Sequence, residues 1–97
     1  MVITINIRFF GIFKRLSGKN QINLVLEETA TVCEVISKLT ETFSNEFKQV
    51  LVDSQLVDIR PNALILVGGK EISALQGLET DVKDGDEVVL IPMVHGG

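Results

Sequence analysis

From Val2 to Phe9 the chain alternates strictly, with Ile3, Ile5, Ile7 and Phe9 on one side and Val2, Thr4, Asn6 and Arg8 on the other. A period of two belongs to a strand with one face on a core and one in water, so a half-buried strand is predicted here. Gly11, Ser17, Gly18 and Asn20 then read as a loop,. Beyond it Ile22, Leu24 and Leu26 alternate with Asn23 and Val25 as a second strand. Two such runs with a short connection predict an antiparallel hairpin.

The period changes at Thr31. Thr31-Val32-Cys33-Glu34 has the S/T-x-x-E form of a capping box, in which the threonine hydroxyl accepts from the Glu34 amide and the glutamate reaches back to the Thr31 amide,. Val32, Ile36, Leu39 and Phe43 follow at helical spacing as one apolar stripe, with Glu34, Lys38 and Glu41 off it, so the helix packs one face on a sheet,. From Phe47 to Asn62 the period is lost and Arg60-Pro61-Asn62 is turn chemistry, which predicts a variable connection with room for a short helix,. A strand ending at Val67 runs into Gly68-Gly69, a tight-turn signal because both central positions need positive φ, and returns through Lys70-Glu71-Ile72,.

Leu75 to Val82 carries few strand features and is expected to cross the surface. Asp84-Gly85-Asp86 is a turn that launches Glu87-Val88-Val89-Leu90-Ile91, an apolar run of the kind found in a central strand buried on both faces,. Pro92 cannot donate to a ladder, so the strand ends there and residues 93–97 form a flexible tail,. The predicted fold is α+β: a mixed sheet with one main helix across it, one domain over residues 1–92, and a crossover long enough to permit a parallel pair.

Composition narrows the function. The chain has 97 residues, room for a single core, and its 45% apolar and 23% charged content is that of a globular domain,. No apolar run approaches the roughly 20 residues of a membrane span, and the N-terminus lacks the basic and apolar blocks of an export signal, so a cytoplasmic location is expected. One cysteine and one histidine supply neither an internal disulfide nor a zinc site,. A net charge of −4 without a long basic run argues against nucleic acid,. Lys14-Arg15 with Lys19 reads as a solvated loop, and the acidic body suits a basic protein partner,.

Neither a serine, histidine and acid set nor a phosphate loop is present, which moves the search for chemistry to the terminal Gly96-Gly97. Without side chains this pair can enter a narrow channel and approach a bound nucleotide closely. A terminal carboxylate becomes a good acylating group once its oxygen has attacked the α-phosphate of ATP. His95, on a mobile tail, lacks the fixed geometry of a base and reads as a partner contact,. Cys33 reads as a small packed residue, and Asp81, Asp84, Asp86 and Glu87 as a solvated acidic turn,.

Arg8-Phe9-Phe10, Leu16, Gly18-Lys19, Ala30-Thr31-Val32, Asp84-Gly85-Asp86-Glu87-Val88, Ile91-Pro92 and the closing Gly96-Gly97 together resemble the small subunit of molybdopterin synthase. The likeness covers nearly the whole chain apart from residues 47–61, and it implies the ubiquitin-like β-grasp fold of the sulfur carriers. It further implies that Gly97 is the reacting group, adenylated and then converted to a thiocarboxylate, while Gly96, His95, Val94, Met93 and Pro92 contact partners. The implied partners are a ubiquitin-activating-type adenylating enzyme, which uses the ATP, a sulfur donor protein and the large subunit of the synthase. No bound cofactor is implied. The thiamine sulfur carrier, carriers for tRNA thiolation and the ubiquitin-related modifiers share this terminal chemistry. A modifier joined through Gly97 to lysines, or a carrier for another pathway, therefore stays open.

Overall fold

The computed structural model describes residues 2–28, 30–51 and 63–92. The element order is β1 (Val2–Phe9), α1 (Gly11–Ser17), β2 (Gln21–Glu27), β3 (Ala30–Thr31), α2 (Val32–Thr42), α3 (Asn45–Leu51), β4 (Ala63–Val67), β5 (Lys70–Glu71), β6 (Asp81–Val82) and β7 (Glu87–Pro92). Two single 3₁₀ turns, Ile72–Ala74 and Gly77–Glu79, lie between β5 and β6. The main sheet has the order β2-β1-β7-β4-β5, and β3 pairs with β6 in a small second sheet. β1 pairs antiparallel with β2 and parallel with β7, so the one parallel pair of the described strands joins the first strand to the last. A mixed sheet under one main helix, α2, is the ubiquitin-like β-grasp arrangement, as expected.

The alternation read in β1 sets the core. Ile5 and Ile7 are fully buried and Ile3 and Phe9 nearly so, while Val2, Thr4 and Arg8 face outward. Helix α2 lays Val32, Val35, Ile36 and Leu39 on that inner face. Thr31 caps it by accepting from the Glu34 amide at 3.3 Å, the first half of the expected box. The second half differs: the Glu34 carboxylate accepts from the Thr31 hydroxyl at 3.5 Å rather than from the Thr31 amide.

Three other expectations are corrected. The stretch after Gly11 is a helix rather than a loop, because Phe13 is fully buried and Leu16, three residues on, packs partly against the core. Gly18 terminates it in the left-handed conformation at φ 73°, its N–H bonding the Lys14 carbonyl at 3.0 Å, so the glycine that suggested a loop is a helix stop,. The short helix for which the connection from Phe47 had room is present as α3, with Phe47 and Leu51 fully buried on it. Residues 52–62 lie outside the described residues. The stretch ending at Val82 contributes a short strand and a fully buried valine, not only a surface crossing. Strand β7 is central, as predicted, but only one of its faces is buried: Val88 and Leu90 are fully covered, whereas Val89 and Ile91 are half-buried.

Four of the five phenylalanines tie these layers together. Phe9 of β1 meets Phe43 and Phe47 edge-on at 5.6 and 5.8 Å, and Phe13 of α1 lies 5.5 Å from Phe47. Such pairs contribute roughly 0.5–1.5 kcal/mol each beyond the area they bury. Helix α1 is thereby fixed between β7 and α3 and cannot drift from the end of the last strand.

Candidate functional site

The central position of β7 decides where the chain presents its end. Pairing with β4 continues to its C-terminal end, where Pro92 faces Ala63, and pairing with β1 reaches Leu90, which faces Phe9. The Phe10 amide donates to the Leu90 carbonyl at 3.2 Å, extending the grip by one residue. Pro92 then brings the ladder to its end, as its missing N–H requires. It is half-buried.

Gly11 closes over that proline. Its φ is +56°, and a Cβ built on it would lie 2.7 Å from the Pro92 Cγ, closer than real carbon contacts allow. The position therefore demands glycine twice, once for the backbone conformation and once for the space, and the start of α1 seats directly on the last residue of the sheet. Pro92, the last described residue, is thus held by β4 and by the start of α1. Gly97, Gly96, His95, Val94 and Met93, the residues expected to carry the chemistry, lie outside the described residues. Pro92 is where the sequence placed it.

Around Pro92 the outer face of the sheet is apolar at its centre and polar at its rim. Ile91 lies opposite Leu64 and Val89 opposite Leu66, all half-buried or exposed. Phe10 is 41% exposed, with the Arg8 guanidinium 5.5 Å from its ring centroid, a cation–π contact at the surface,. Arg8 also lies 3.9 Å from Glu87, both side chains half-exposed, an ion pair worth little in water,. Phe10 and Gly11 are site residues that the alternation of β1 did not single out. Their signal was the second of two adjacent phenylalanines at a strand end, one more than the inward face can hold.

The acidic turn has a different task. Asp84 accepts from the Thr4 amide at 2.8 Å, and Asp86 accepts from the Lys83 amide at 2.8 Å, so both carboxylates anchor the turn into β7. They lie at the far end of β7 from Pro92. Cys33 is partly exposed at the start of α2. Among the described residues no group of histidine, cysteine and acidic side chains is arranged to hold a metal ion. No described helix is long and apolar enough to cross a membrane.

Comparison with known proteins agrees with this geometry. The model of the ThiS family matches residues 7–97. The chain is similar to small archaeal modifier protein 3 of Haloferax volcanii, 29% identical over 93 residues that cover 96% of this chain and 98% of that one. It is also similar to a protein of Archaeoglobus fulgidus assigned as a sulfur carrier protein, 33% identical over 79 residues, covering 80% of this chain and 88% of that one. Among solved structures, small archaeal modifier protein 1 of Methanosarcina acetivorans superposes with a TM-score of 0.80 at 27% identity, covering 100% of this chain and 99% of that one. Held between the first strand and the fourth, with its last strand ending beside a packed glycine, the chain belongs to the ThiS family of ubiquitin-like sulfur carriers and modifiers.

Proposed function

We propose that this protein is a sulfur carrier whose working group is the C-terminal carboxylate of Gly97. A partner enzyme of the ubiquitin-activating type binds ATP and positions its α-phosphorus for attack by a Gly97 carboxylate oxygen. Pyrophosphate leaves and an acyl-adenylate forms. Sulfide delivered by a donor protein then attacks the acyl carbon, AMP leaves, and a thiocarboxylate remains. The acceptor we favour is the large subunit of molybdopterin synthase, which would use that sulfur to build the dithiolene of the molybdenum cofactor.

The observation that carries this reading is the seat of Pro92. A tail that must enter another protein's nucleotide site gains from a fixed point of departure, because every residue ordered on binding costs conformational entropy. Strands β1 and β4 and Gly11 supply that point five residues before Gly97. Gly96 keeps the approach to nucleotide slim, and Met93, Val94 and His95 would meet the walls of the partner's channel.

A second reading is favoured by the names of two relatives, both small archaeal modifier proteins. In that case the same acyl-adenylate passes to the amine of a target lysine. Both readings share the first step, which pyrophosphate exchange measures. With the host's adenylating enzyme and ATP, the full chain should support exchange, and a chain lacking Gly96 and Gly97 should support none while retaining its unfolding transition. Exchange by the truncated chain would sink both. Lysine conjugates without thiocarboxylate would favour the modifier.

A further inference from the structure

The nine lysines and arginines are not spread evenly. Residues 1–26 hold Arg8, Lys14, Arg15 and Lys19 and no aspartate or glutamate; all thirteen carboxylates lie from Glu27 onward, against five cations. The fold turns this sequence asymmetry into a spatial one. Because β2 runs antiparallel to β1, Glu27 lies opposite Val2 and Gln21 opposite Arg8. Asp84 is bonded to Thr4, so the carboxylates of Glu27 and Asp84 lie at the start of β1, while the four cations lie toward its end, where only Arg8 has a carboxylate, Glu87, within 4 Å among the described residues. The two ends of β1 lie about 23 Å apart at the rise of a strand.

At the cationic end the surface is concave. A groove of about 440 Å³ is lined by Gly11, Lys14, Arg15, Gly18, Lys19 and Asn20. An adjoining one shares Gly11, Lys14 and Asn20 with it and adds Arg8 and Phe10. Among the described residues no carboxylate lines either. Gly11, common to both, is the residue that touches Pro92. The basic groove therefore includes the residue that packs against Pro92, the last described residue.

We propose that this groove is a docking surface for an acidic patch on the adenylating partner, beside the mouth of the channel that takes the tail. The proposal rests on the reading of Gly97 as the adenylated group. Attraction at the basic end and repulsion at the acidic end would orient the carrier during encounter so that Pro92 faces the channel. Four exposed cations on a body of net charge −4 suit a localised acidic protein surface, whereas a nucleic acid would also meet the thirteen carboxylates,. On this proposal the surface that meets the groove is acidic, although the net charge of the whole chain suits a basic one.

The test is calorimetric titration of the full chain into the host's adenylating enzyme. It compares the wild type with Lys14→Glu/Arg15→Glu, with the milder Lys14→Gln/Arg15→Gln, and with Lys38→Glu/Lys48→Glu as a control away from the groove. Circular dichroism establishes that each is folded, and the glutamine pair stands in should the reversed pair not fold. The reversed pair should bind roughly tenfold or more weakly, the neutralised pair should fall between, and the control should match the wild type. Added salt should weaken the wild type and have little effect on the residual binding of the reversed pair. Equal affinity of wild type and both groove variants would overturn the proposal. So would an RNA oligonucleotide, or a second copy of the chain, engaging these cations while enzyme binding ignored them. Charge-sensitive binding without pyrophosphate exchange would sink the adenylation of Gly97 and leave the docking surface standing.

Discussion

Phe9 and Phe10 are neighbours in sequence and opposites in circumstance. Phe9 is 2% exposed and sits in the aromatic cluster with Phe43 and Phe47, while Phe10 is 41% exposed at the rim of the outer face, under the Arg8 guanidinium. The same division runs along β7, where Val88 and Leu90 point into the core and Val89 and Ile91 outward. On the inner face apolar residues hold the fold together. On the outer face similar side chains lie partly exposed near Pro92, which leaves them available for contact with other molecules,. Hydrophobicity alone does not tell the two tasks apart; cover by α2 and α3 does.

Substitutions in matched pairs break or sharpen that contrast. Phe9→Ala should destabilise the protein by about 3–5 kcal/mol in urea unfolding, because it opens a cavity at the centre of the aromatic cluster. Along β7, Leu90→Ala should cost about 2–5 kcal/mol, and Ile91→Ala about 1 kcal/mol by the same measurement, since the Ile91 side chain is partly exposed already,. Equal losses at these two positions would show that the outer face is covered after all. Gly11→Ala should cost about 1–2 kcal/mol through its positive φ, and in addition push Pro92 aside, so that activation by the adenylating enzyme falls further than stability does. Phe10→Ala should change stability by no more than about 0.5 kcal/mol in thermal or urea unfolding.

Much of the fold was legible in the sequence because its periods are clean. The alternation of Val2 to Phe9, the stripe on α2, the paired glycines at 68 and 69 with φ of 58° and 84°, and the halt at Pro92 all follow from local geometry. Helix α1 was not legible. Seven residues hold only two turns, and its Gly11, Ser17 and Gly18 carry loop signals that outweigh the spacing of Phe13 and Leu16. Burial on both faces of β7 was inferred from composition, which cannot report whether a second layer exists. The terminal glycines are readable from their chemistry alone. The seat they depart from is not, because Gly11 and Pro92 are distant in sequence and meet only once β1 and β7 pair. The basic end lay in plain view as a stretch without carboxylates. Its place beside Pro92 was not in view, because that depends on the pairing of β1 with β7.

The central claim is that Gly97 is the group on which the chemistry occurs, and intact-protein mass spectrometry tests it most directly. The full chain would be incubated with the host's adenylating enzyme, ATP and a sulfide source, beside a chain lacking Gly96 and Gly97. The account predicts a mass gain equal to one oxygen replaced by one sulfur, located by fragmentation to Gly97, and no gain in the truncated chain. A full chain that remains unmodified while the enzyme turns over ATP, or a truncated chain that gains sulfur equally well, would contradict it.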